Sequence, residues 1–135
     1  MATFFAHIKI FDGKEAEFEK VARELWKQTH TLEKDVLRYE YFRSETPGHY
    51  YCLLSFKDFN SFMVHQTSDH HEAPDFGSLL ESNRLEWLDP VDGANDLPAT
   101  NPQPLPPNAS ELHKRYSQDH GVVMQDWWLK LRNRG

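Results

Sequence analysis

The sequence predicts an α+β fold of the ferredoxin-like, split β-α-β type, and three observations carry that prediction. Apolar patterns of period 2 and period 3.6 follow one another in the order β-α-β-β-α-β over residues 3–88. One stretch, Tyr50 to Phe56, is apolar on both faces, as in a strand covered from both sides. The composition then changes at Val91, which sets a proline-rich arm apart from the core.

The elements follow in order. From Thr3 to Phe11 the chain alternates, with Ala6, Ile8 and Ile10 on one face and Phe5, His7 and Lys9 on the other. Asp12-Gly13 breaks this strand. Lys14 to His30 predicts a helix whose stripe is Phe18, Val21, Ala22, Leu25 and Trp26, all expected against the sheet. Val36 to Glu45 alternates again, with Leu37, Tyr39 and Tyr41 opposite Arg38, Glu40 and Phe42. Pro47-Gly48 supplies a hairpin turn before the strand at 50–56. Asp58 can cap a second helix carrying Phe59, Phe62 and Met63 at helical spacing. Phe76 to Ser82 reads as a short helix and Arg84 to Leu88 as a last strand. Helices cover one face of such a sheet. Nothing in this region is left for the other face, so a second copy of the chain is the expected cover.

Three regions result: a core at 1–90, a Pro-rich arm at 91–108 and a helical extension at 109–135. Asn108 and Glu111 have capping-box spacing, and Gly121 is placed to end a helix. Val123, Met124, Trp127, Trp128 and Leu131 then form an apolar stripe that must dock, with the partner subunit of a dimer as the expected surface.

Composition excludes several function classes. A net charge of -6 argues against a general nucleic-acid binder and a polybasic membrane anchor. No apolar run is long enough to span a bilayer. The single cysteine, Cys52, cannot form an intrachain disulfide, which suits a reducing compartment. The first residues lack a signal-peptide pattern. A cytoplasmic protein is the expectation.

The chemistry-bearing stretch is His65-Gln66-Thr67-Ser68-Asp69-His70-His71-Glu72, which holds three of the eight histidines. Histidine gives and takes protons near neutrality, so a cluster at a helix end predicts a proton-transfer site. His65, His70, His71, Asp69 and Glu72 are also metal-ligand types. Their spacing is not that of a known zinc motif, however, and no cysteine joins them, so no metal is expected.

Three segments together resemble the antibiotic biosynthesis monooxygenase family of the dimeric α/β-barrel superfamily. They are Ile8-Lys9-Ile10-Phe11-Asp12-Gly13-Lys14-Glu15-Ala16-Glu17-Phe18, Leu37-Arg38-Tyr39-Glu40-Tyr41-Phe42-Arg43, and Phe62-Met63-Val64-His65-Gln66-Thr67-Ser68-Asp69-His70. The last is similar to a family segment with Thr-Pro where this chain has Ser68-Asp69. The resemblance covers about residues 3–88 and nothing transfers to the extension.

The resemblance implies a homodimer with facing sheets and a pocket in each subunit between sheet and helices. It implies oxidation of a phenolic or hydroquinone-type, polyketide-like polycyclic aromatic to a quinone by O2, with no metal, flavin or other cofactor. His65 is then the first choice for the proton work and His70 the second. Tyr39, Tyr41, His71, Arg84 and Trp87 are the expected substrate-binding set, with Arg84 pairing a phenolate. Haem-degrading relatives differ, because Ala6, His65 and Asp75 stand where their pattern has Asn, Trp and His. Two rival readings stay open: a non-redox cyclase or isomerase using His/Tyr acid–base chemistry, and a ligand-binding or interaction protein without catalysis.

Overall fold

The computed structural model describes residues 1–132. The core runs β1 (Ala2–Ile10), α1 (Glu15–Leu32), β2 (Val36–Arg43), β3 (His49–Phe56), α2 (Phe59–Gln66), α3 (Asp69–Glu72), α4 (Phe76–Leu79) and β4 (Leu80–Trp87). Two helices follow the arm, α5 (Glu111–Asp119) and α6 (Asp126–Arg132). Positions 133–135 of the expected helical extension lie outside the described residues. The strands form one open sheet in the order β2-β3-β1-β4, with every neighbouring pair antiparallel. This is the ferredoxin-like α+β arrangement that the element order predicts.

Alternation along β1 sends Phe4, Ala6, Ile8 and Ile10 into the core beneath the helices and leaves Phe5, His7 and Lys9 half-buried on the outer face. From β3, Tyr50, Cys52, Leu54 and Phe56 join the core. The β2–β3 hairpin turns through Gly48, whose φ of 75° suits a residue without Cβ. Asp58 caps α2 as expected, its carboxylate accepting from Ser61 N–H at 2.8 Å. No helix among the described residues is long and apolar enough to cross a membrane.

Several expectations need correction. Phe18, Ala22, Leu25 and Thr29 are the buried stripe of α1, but Trp26 is 48% exposed. One position on from Leu25 turns it about 100° around the axis, and there it stacks near His30, 4.8 Å between ring centroids. Leu37 does not share the inward face of Tyr39. A register shift between Val36 and Arg38 adds a residue to β2 and turns Leu37 outward. Ser110, not Asn108, caps α5, accepting from His113 N–H at 3.0 Å.

The tail stripe is also interrupted. Val123 and Met124 lie in the connection before α6, and Trp127 and Leu131 are exposed, leaving Trp128 as the buried member. The arm and tail dock on their own chain. Asn101 N–H bonds Met1 O at 3.0 Å, Asn60 bonds Gln103 and Pro104, and Arg132 bonds both Asp89 and the carbonyl of Thr100. Leu97, Trp127 and Trp128 line a common depression with Thr3 and Leu53 at one end of the outer sheet face. Thr3 is therefore fully buried there and bonds Ser55 at 2.8 Å. Part of the cover expected from a second copy is thus supplied by this chain's own tail.

Candidate functional site

The histidine cluster is built where α2 ends. Thr67 closes that helix by donating its hydroxyl to Met63 O at 2.8 Å. Ser68 then starts the single-turn α3, and its hydroxyl donates to His65 O at 2.7 Å. This tight turn brings His70 and His71 back beside His65. From the opposite side comes Glu33, at the end of α1. One of its oxygens, Oε1, lies 2.8 Å from His65 Nδ1 and 2.6 Å from His70 Nε2. A carboxylate oxygen accepts only, so both ring nitrogens carry the proton. Nε2 of His65 is then left as a lone-pair acceptor. It is buried with no partner among the described residues, as is Nδ1 of His71.

The surroundings of the two rings are apolar. His65 is fully buried, 4.7 Å from the Tyr39 ring and 5.1 Å from Phe56. Its ring centroid is 4.8 Å from that of His71. Burial, with repulsion from the neighbouring His65 and His70 rings adding to it whenever they carry a proton, pushes the His71 pKa down to about 3. His71 is therefore a neutral imidazole at neutral pH.

His71 borders a cavity of about 240 Å³ between the inner sheet face and the helices. Ala6, Ile8, Leu54 and Leu85 give it an apolar floor, and Phe18 and Phe76 close its sides. Tyr39, Tyr41, Gln66 and Asn83 supply polar groups, and Tyr116 and His120 reach it from α5. The Tyr39 and Tyr41 hydroxyls share a hydrogen bond of 2.8 Å. Burial raises both phenol pKa values, so both stay protonated. Burial lowers that of His120. A larger groove of about 840 Å³ between α1 and the edge strand β2 shares Phe18 and Tyr41 with this cavity, and Trp26 and Phe42 line its outer part. At its rim Glu19 receives Arg43 and the Tyr50 hydroxyl, and the Arg43 bond lowers its pKa to about 2.

The structure brings together part of the expected site. Tyr39, Tyr41 and His71 line the cavity, and His65 lies directly behind His71. His70 faces Glu33 instead. Arg84 and Trp87 cannot share a face, being three apart on one strand. Arg84 stands opposite His7 on the outer face, exposed, with Glu86 as its partner at 3.5 Å. It does not line the cavity. Trp87 faces inward, but it packs with Phe4, Phe59 and Phe62 and donates Nε1–H to Gly121 O. The reading from sequence missed Glu33, Gln66, Asn83, Tyr116 and His120. Tyr116 and His120 carried a usable signal, since i and i+4 share a helix face.

Glu33, His65 and His70 are also a set that could hold a metal ion, their ligand atoms lying within 4.8 Å of one another. It differs from the set that spacing offered, because neither Asp69, His71 nor Glu72 belongs to it. Here both histidine nitrogens are already bonded to the carboxylate.

The model of the family described as antibiotic biosynthesis monooxygenase matches residues 1–73. Among solved structures, the chain is similar to a Caulobacter crescentus protein assigned as an antibiotic biosynthesis monooxygenase. The two are 27% identical, with 67% of this chain and 90% of that one covered and a TM-score of 0.62. A Bacteroides thetaiotaomicron protein with the same assignment is 17% identical at a TM-score of 0.65, covering 71% of this chain and 94% of its own. A Pseudomonas aeruginosa protein is 19% identical at 0.61, covering 67% and 93%. No curated protein matches this chain.

Proposed function

Because the chain belongs to the antibiotic biosynthesis monooxygenase family, we propose that it oxidises a small phenolic or hydroquinone-type aromatic with O2, using no metal or flavin. The observation that supports this most is a neutral His71 on the cavity wall, its ring packed edge-to-face on that of His65, which Glu33 holds through Nδ1.

The chemistry needs a deprotonated phenol, because an electron-rich phenolate can reduce O2 directly. The protein has to bind the ring, exclude water and carry the proton away. Apolar residues of β1, β3 and β4 hold the ring. Tyr41 and Asn83 are placed to hydrogen-bond its oxygens. His71 accepts the phenol proton, but its low pKa means it does not keep that proton. The bare Nε2 of His65, in the neighbouring ring, is the next acceptor once the two rings come within hydrogen-bond distance. Glu33 then stabilises the imidazolium through Nδ1–H, as a carboxylate does when it orients a catalytic histidine. His70, on the same carboxylate, connects this relay with the surface.

The test is oxygen uptake by metal-stripped protein with a benzene or naphthalene hydroquinone as substrate. His71→Ala and His65→Ala should each lower the rate by about 10²-fold, the worth of a general base. Loss of activity with EDTA, or wild-type rates in both variants, would overturn the mechanism.

The Tyr39–Tyr41 pair supports a second reading. Two phenols that stay protonated beside a neutral imidazole can enolise a carbonyl compound without O2, as a cyclase or isomerase would. Turnover of a carbonyl substrate under argon would favour it. For assembly we propose a homodimer through the outer sheet face. There Phe5, His7 and Tyr51 form a half-buried aromatic cluster, with ring centroids 5.1 Å apart for Phe5–Tyr51 and 5.8 Å for His7–Tyr51.

A further inference from the structure

The family match ends before α5 begins, yet α5 contributes two side chains to the cavity. Tyr116 and His120 lie one turn apart on the same face of that helix, at its C-terminal end. The helix is fixed there by several independent contacts. The Tyr116 hydroxyl donates to Glu72 at 2.6 Å, beside the histidine cluster. Trp87 Nε1–H donates to Gly121 O at 3.1 Å, just past the helix end. The His120 ring sits 6.1 Å from Phe62, and Val122 packs against the core. At the other end His113 is buried. The helix therefore holds a set position over the cavity.

The two residues differ in what they offer a ligand. The hydroxyl of Tyr116 is committed to Glu72, so its ring is a wall. The His120 ring is half-buried on the cavity wall, and its burial favours the neutral form. It therefore presents both a donor and an acceptor nitrogen for use. The volume matters as well. About 240 Å³ is below the roughly 300–1,000 Å³ typical of pockets for drug-sized ligands.

We infer that α5 sets the selectivity of the site: His120 hydrogen-bonds a substrate hydroxyl, and Tyr116 limits the length of the cavity, so that it takes a phenol of one or two fused rings and rejects three. This rests on the reading of the cavity as the substrate site. It goes further by giving the substrate a size class and by assigning two selectivity residues to the extension.

Binding separates the inference from the chemistry. The probes are 2-naphthol and 2-anthrol, titrated calorimetrically under argon into the full-length protein. Wild type should bind 2-naphthol about 10-fold more tightly than 2-anthrol, a difference of the size a pocket wall can impose. His120→Ala should weaken 2-naphthol by about 10-fold, as a lost hydrogen bond to ligand does, and His120→Gln should recover part of that. Tyr116→Leu should abolish the discrimination. Tyr116→Phe, which keeps the ring and loses only the Glu72 bond, should preserve it and so control for damage to the fold. Equal binding of both probes by wild type, or His120 and Tyr116 variants that bind as wild type does, would overturn the inference. Oxygen uptake that persists alongside such a result would leave the proposed reaction standing. Size-selective binding without uptake would do the reverse.

Discussion

Glu33 and His65 are 32 residues apart in sequence and 2.8 Å apart in the fold. The same carboxylate oxygen holds His70, so one acidic side chain ties the end of α1 to the turn after α2. Glu33→Ala should leave two N–H groups without an acceptor and destabilise the protein by about 1.5–3 kcal/mol, the range for hydrogen bonds to a charged group. Urea unfolding of Glu33→Ala, His70→Ala and the double variant would measure the coupling. Additive effects would show that the His70 bond contributes nothing.

The His71 environment predicts a pH dependence. Its pKa is lowered in the folded state to about 3, against the ordinary 6.5. Between those values the unfolded chain binds the extra proton and the folded one does not. The contribution is thus full above about pH 6.5 and is lost as the pH falls towards 3, with a slope of up to about 1.4 kcal/mol per pH unit. Burial is the main cause of the lowered value, and repulsion from His65 and His70 is second to it. The stability difference between wild type and His71→Asn, measured from pH 7 to 4, should therefore move in favour of the variant as acid is added. A constant difference would contradict the buried, neutral placement.

Two residues of α1 should respond unequally to truncation. Phe18 is 2% exposed and contacts Tyr50, whereas Trp26 is half exposed over the groove. Phe18→Ala should cost about 3–5 kcal/mol and Trp26→Ala well under that, despite the larger side chain. Thermal unfolding of both compares them directly. If Trp26→Ala proved the more damaging, a partner surface would have to cover it.

The outer sheet face predicts the assembly. Light scattering at micromolar concentration should give the mass of a dimer, and Tyr51→Glu should give that of a monomer by placing a charge in the aromatic cluster. A monomeric wild type would remove this proposal without touching the cavity.

The fold was legible because its signals are local. The alternation in β1, the stripe through Phe18, Ala22 and Leu25, and the Asp58 cap each lie within a few residues. The site was legible only where it coincides with such a segment. Histidines 65, 70 and 71 stand out as a run, and Tyr39 and Tyr41 share a strand face. Glu33 carries no local mark, since its role exists only after α1 and α2 pack. The error over Arg84 and Trp87 came from naming both as pocket residues when one strand cannot turn both inward. The misplacement of Leu37 has another origin, because a bulge inverts the alternation without any signature in composition. For the tail, an apolar stripe foretold docking but not the break at 121–125 that divides it.

The contact between Arg132 and Asp89 has a consequence of its own. It joins positions 43 apart, closing the arm, α5 and α6 into a single loop. Closing a flexible loop of that length costs about 3 kcal/mol on a (3/2)RT ln n scaling. Hydrogen bonds to a charged group in a partly buried pair such as this return about 1.5–3 kcal/mol, no more than that cost. The pair alone cannot keep the loop shut, so Trp128, His113, Val122 and the Tyr116–Glu72 bond must act together. Segments held by shared contacts of this kind open as one cooperative unit, or foldon, below the free energy of global unfolding. Amide exchange should therefore be correlated in α5 and α6, although only α5 touches the cavity. A molecule bound against α5 then stabilises the closed loop by linkage, so occupancy of the cavity is registered as slower exchange at a helix it never contacts.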